Sequence, residues 1–109
     1  MAQFLYQFAY TPEAWAAQLK HPDNRPEKIG AAMAEATGGK LVGAWYCFGE
    51  YDVAIIFDLP THEAMAALAL AIGAGGALKS AQTTVLMSGH DAVAAMKKAA
   101  TLSYKPPHK

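Results

Sequence analysis

Residues 3 to 10, QFLYQFAY, place Phe4, Tyr6, Phe8 and Tyr10 at alternate positions. That is the period-2 signature of a strand built from strong β-formers. Thr11-Pro12-Glu13 follows, a capping hydroxyl before a proline at the first helical position, and predicts a helix through Ala14, Trp15 and Leu19 to about Lys20. HPDNRPEK interrupts it, because the residue before each proline is driven out of helical geometry. A second helical stretch after Pro26 sets Ile29, Ala32, Met33 and Ala36 on one face, and Gly38-Gly39 stops it.

The pattern then returns to strands. Lys40 to Phe48 and Asp52 to Leu59 read as a hairpin around Gly49-Glu50-Tyr51-Asp52. Pro60 ends it, and Thr61 with Glu63 opens a helix over 62 to 73 with Met65, Leu68, Ala69 and Ile72 on one side and Leu70 on another. Residues 78 to 87, LKSAQTTVLM, form a fourth strand, and Ser88 to about Ala100 a last helix with Val93 and Met96 inward. The predicted domain is 1–100, with 101–109 an irregular tail.

Two strands joined directly and two joined through helices give βαββαβ plus a terminal helix. This is a ferredoxin-like α+β arrangement: a four-stranded antiparallel sheet with both crossover helices on one face. The other face must meet water or a partner. On the third strand Val53, Ile55 and Phe57 suit the helical core, while Asp52, Ala54, Ile56 and Asp58 fall opposite. A mixed face of this kind predicts closure of two sheets on each other, a dimeric α/β barrel.

Composition narrows the function. Charged residues make up 17% of the chain and hydrophobic ones 53%, against about a quarter charged in ordinary soluble domains, so part of the apolar surface is expected to meet another subunit. Nine basic residues balance nine acidic ones, which leaves no field for nucleic acid or an anionic membrane. The uncharged run from Ala64 to Leu78 is too short and too rich in glycine to span a bilayer. No export signal opens the chain, and Cys47 is the single cysteine, so a cytoplasmic protein is expected. Cys47 itself reads as a small buried hydrophobe within the second strand.

Candidate chemistry centres on carboxylates and aromatics. Glu50, Tyr51 and Asp52 in the turn form either a small acid-base cluster at a barrel mouth or a structural cap on the hairpin. Asp58 is a candidate catalytic base if it faces an enclosed cavity; otherwise it is wet or paired with Arg25. Tyr6, Tyr10, Trp45 and Tyr46 are candidate walls for a flat apolar ligand, with Gln82 and Thr84 as polar contacts. His90, opening the last helix, is a candidate ligand residue and the one place for a heme. The histidines otherwise lack metal-site spacing, so neither a metal nor another cofactor is expected.

The segment FGEYDVAIIFDLP, preceded by GGKLVGAWYCF and followed by a helix and LKSAQTTVLM, resembles the GYD-domain family of small bacterial proteins, named for the stretch seen here as Gly49, Glu50, Tyr51 and Asp52. The resemblance implies a dimeric α/β barrel and homo-oligomerisation. It assigns no reaction and no catalytic residue. Three functions stay open: binding of a small, mostly apolar or aromatic molecule; cofactor-free oxygenation or isomerisation of a quinol-like substrate; and structural oligomerisation without a ligand.

Overall fold

Nine consecutive residues, Ala2–Tyr10, form the strand β1 that the alternating aromatics predict. The computed structural model describes residues 1–107. α1 (Pro12–Lys20) starts where Thr11 Oγ1 accepts the N–H of Ala14, and α2 (Arg25–Ala36) follows after a short break. β2 (Lys40–Tyr46), β3 (Val53–Leu59), α3 (His62–Ala74), β4 (Leu78–Leu86) and α4 (Gly89–Ala99) complete the chain. The sheet is antiparallel throughout, in the order β2-β3-β1-β4. This is the ferredoxin-like fold.

The core lies between sheet and helices. Phe4, Tyr6 and Phe8 from β1 and Val53, Ile55, Phe57 and Leu59 from β3 are buried against Ala34 of α2 and Met65 and Leu68 of α3. Leu70 is exposed, as its place on α3 requires. α2 differs from its predicted face: Pro26, Gly30 and Ala34 are its buried stripe, Ile29 and Met33 flank it, and Ala32 and Ala36 face out. Small residues are buried because the helix runs close over β2. A Cβ on Gly30 would stand 3.1 Å from Leu41 Cδ1.

The hairpin also departs from expectation. β2 ends at Tyr46 rather than Phe48, and β3 begins one residue after Asp52, because the turn is closed by its own bonds. Cys47 N–H donates to the Asp52 carbonyl and Gly49 N–H to the Tyr51 carbonyl, each at 2.9 Å. The left-handed residue is Phe48, with φ of 46°, not a glycine. Its ring stacks on Tyr46 at 5.8 Å and on Trp15 at 6.1 Å, contacts that offset the cost of a positive φ at a residue bearing a Cβ. Cys47 lies outside the strand and is exposed, correcting its assignment to the interior.

α4 is the second correction. It buries none of its residues, and Val93 and Met96, expected inward, are 48% and 66% exposed. The radius of gyration is 17.4 Å, against about 13 Å for a compact chain of about 100 residues. The helix is an arm that extends from the body.

Candidate functional site

The strand alternation sorts the candidate residues onto two sides of the sheet. On the helix side, a cleft of about 220 Å³ lies between the sheet, α2 and α3, walled by Phe8, Ile29, Met33, Ile55 and Ile72. Tyr10 and Arg25 line its mouth, and both also line an adjoining, more open recess of about 340 Å³ that reaches Gln18, His21 and Asp23 of α1 and the following break. The site therefore has an apolar body and a polar end, the usual division in small-molecule pockets.

Tyr10 is 5% exposed; its hydroxyl bonds to no other described residue and is not among the atoms cut off from solvent. Burial, with the nearby Tyr46 phenol and Asp52 carboxylate, pushes its pKa up to about 12, although the Arg25 guanidinium pulls the other way. At neutral pH it is a neutral phenol with a proton to donate. Arg25, the single arginine, makes no ion pair among the described residues. The neighbouring Asp23 is engaged instead by Lys28, at 2.9 Å, which holds its carboxyl below the ordinary range.

An aromatic cluster backs this polar end. Tyr10 meets Trp15 edge-on at 5.2 Å, and Trp15 in turn contacts Tyr46 and Phe48. Tyr46 Oη donates to Gln18 Oε1 at 3.2 Å. Asp52 belongs to the same neighbourhood and not to the opposite face where simple alternation put it. Its Oδ2 accepts the backbone N–H of Tyr10 at 2.9 Å and the indole N–H of Trp15 at 3.1 Å. The residue precedes β3, so the pleat does not dictate its direction.

Tyr6 is also on the helix side but stands apart from the cleft. It is 1% exposed in the core and borders a shallow recess between α3 and β4. Burial raises its pKa as well.

The helix-free side carries the remaining candidates. Gln7 pairs with Gln82 and Leu5 with Thr84 across β1 and β4, and Trp45 pairs with Ala54 across β2 and β3. Trp45 is 52% exposed, and its ring lies over Gly43, where any side chain would collide with it. Tyr51 reaches from the turn past β1 to donate its hydroxyl to Gln82 Oε1 at 2.8 Å. Asp58 is half-buried near the far end of this face, opposite Gln3 and Lys40. It does not pair with Arg25, which lies at the other end of the sheet and on its other side. Six residue steps along the chain separate Asp58 from Asp52, about 20 Å at about 3.3 Å each.

His90 belongs to neither group. It sits on the exposed arm, its side chain 94% exposed, with Asp91 at 3.6 Å. Among the described residues no group of His, Cys, Asp and Glu side chains is placed to hold a metal ion. No described helix is long and apolar enough to cross a membrane.

Arg25 is the site residue that sequence reasoning undervalued, considering it only as a partner for Asp58. The available signal was a lone arginine opening a helix between two proline-bearing turns.

Fold and sheet topology define the class, a ferredoxin-like α+β protein with one sheet face free of helices. The profile of the GYD domain matches residues 4–96, and the chain belongs to that family. An X-ray crystal structure of an Agrobacterium tumefaciens protein, a structural-genomics target, is similar to it at 16% identity with a TM-score of 0.51, covering 82% of this chain and 94% of that one. At that identity the likeness concerns the fold alone. No curated protein matches the chain.

Proposed function

We propose that the protein binds a small, mostly apolar molecule in the cleft between sheet and helices and works as a homodimer closed through its helix-free sheet faces. The observation that carries the binding reading is the cleft itself, an apolar chamber at whose mouth the Tyr10 hydroxyl bonds to no other described residue. Octanol is the simplest probe. In an NMR titration it is expected to shift the methyl signals of Ile29, Met33, Ile55 and Ile72 together and saturably; shifts confined to the open face, or none, would overturn the reading.

The dimer rests on a different observation. Leu5, Ala54, Ile56 and Trp45 give the open face an apolar centre, and the arm α4 carries Val93 and Met96 with nothing of its own chain to cover them. A face and an arm that remain uncovered within one chain are complementary between two. Light scattering is expected to give twice the chain mass for the protein and a single chain mass for Ile56→Lys, which places a charge at the centre of the face. A monomeric wild type at micromolar concentration would refute the dimer.

A catalytic second reading gains no support in the cleft. Asp52 has one carboxylate oxygen, Oδ2, committed to the N–H groups of Tyr10 and Trp15, and Asp58 lies on the other side of the sheet. The exposed thiol of Cys47 suits the reducing cytoplasm.

A further inference from the structure

The polar end of the cleft says more than that something binds. We infer that the ligand is a monoanionic amphiphile, an apolar body carrying one carboxylate, with the carboxylate received between the Arg25 guanidinium and the Tyr10 hydroxyl. The inference rests on the reading of the cleft as a ligand site and specifies what that site selects.

Three observations point to an anion. Arg25 lines both the cleft and its adjoining recess and has no carboxylate partner among the described residues. A guanidinium at the edge of an apolar chamber is suited to a planar carboxylate, which it can meet through two parallel N–H bonds. Tyr10 has its ring buried and its hydroxyl at the solvent-reaching end of the cleft, bonded to no other described residue, and a phenol that keeps its proton is a donor to such a group.

The third observation is the start of α2. The N-cap Asn24 makes no side-chain bond to the helix N–H groups; its Nδ2 donates instead to Glu27 Oε2 at 2.9 Å. The positive end of the helix that bears Arg25 is thus left without a side-chain acceptor on its backbone donors. The acidic groups nearby form no ion pair with Arg25: Asp23 is bonded to Lys28, although Arg25 also attracts it, Glu27 accepts from Asn24, and Asp52 accepts from Tyr10 and Trp15.

Size sets the apolar part. At about 30 Å³ for a group the size of a water molecule, 220 Å³ holds about seven such groups, a medium straight chain or a substituted aromatic ring. The adjoining recess leaves the head group room and water.

Octanoate, octanol and octylammonium share one chain and differ in charge, so calorimetric titration with each separates the class from the site. Octanoate is expected to bind about tenfold or more tightly than octanol, as a charge-assisted contact implies, and octylammonium more weakly than either. Arg25→Gln is expected to bring octanoate and octanol within about twofold of each other by weakening octanoate far more than octanol. Tyr10→Phe, which keeps the ring, is expected to weaken octanoate by severalfold and octanol little. Equal binding of octanoate and octanol, preference for octylammonium, or an unaltered preference in Arg25→Gln would overturn the anion class and leave the site standing. Binding of none of the three would overturn both.

Discussion

Gly39→Ala is expected to destabilise the protein by about 3 kcal/mol, at the upper end of what overpacking costs. Gly39 lies between the end of α2 and the start of β2, where the chain passes against the end of β3. A Cβ there would overlap the Asp58 carbonyl oxygen and stand 2.7 Å from Leu59 Cδ2 and 2.9 Å from Leu59 Cα. Two of these three atoms are backbone, part of the central strand, and cannot swing aside as a side-chain tip would. Relief would require β2 to move off β3, which costs ladder hydrogen bonds and opens the core at Leu59, itself 0% exposed. Thermal unfolding is the direct measurement: at about 4–5 °C per kcal/mol for a chain of about this length, Tm should fall by about 12–15 °C. Gly73→Ala, in α3 with nothing within 4 Å of its Cβ position, should instead be neutral or stabilising by up to about 1 kcal/mol. A Gly39→Ala protein as stable as Gly73→Ala would show that the connection from α2 to β2 is not held this closely against β3.

The fold was legible because its signals are local and mutually consistent. Alternating aromatics made β1, and the hydroxyl-proline and hydroxyl-acid starts made α1 and α3; Thr11 and Thr61 do cap them. What the sequence could not show were distances between elements. The buried stripe of α2 passes through Gly30 and Ala34 because the helix approaches β2 closely, and hydrophobicity alone ranks Ile29 and Met33 above both. The exposure of Val93 and Met96 was illegible for a related reason. An amphipathic pattern says that a helix has an apolar face, not which surface covers it, and here none of its own chain does.

The site divides in the same way. Tyr10 and Tyr46 were visible as aromatics on strands, and the structure gathers them with Trp15 at one end of the cleft. Tyr6, Trp45, Gln82, Thr84, Tyr51 and Asp58 were visible too, but pleat parity and the turn distribute them to the core or to the opposite face. A period of two tells which residues share a face within one strand. It does not tell how a residue such as Asp52, one step outside the strand, will turn.

Asp52→Ala is expected to cost about 2–4 kcal/mol, because one oxygen of its carboxylate satisfies two N–H groups on different elements. The need arises in β1. Its ladder with β3 ends at Phe8 opposite Val53, and its register with β4 shifts between Ala9 and Tyr10. The N–H of Tyr10, a buried residue, is therefore past the last β3 partner, and Asp52 Oδ2 takes the place of a strand carbonyl. The same atom fixes the Trp15 indole and so ties α1 to the hairpin. Backbone bonds keep the residue where it is, since Asp52 N–H donates to the Phe8 carbonyl at 2.8 Å. Asp52→Asn keeps an acceptor oxygen and loses the charge, so it should cost about half as much; a variant equal to alanine would mean that charge, not geometry, supplies the stabilisation. Urea unfolding followed by far-ultraviolet circular dichroism measures both. If Asp52→Ala unfolds at the wild-type midpoint but loses octanol binding, the carboxylate serves the ligand and the structural reading fails. If the midpoint falls and the residual folded protein still binds octanol, the acid of the Gly-Glu-Tyr-Asp turn is there to terminate β1 and seat α1 beside the cleft.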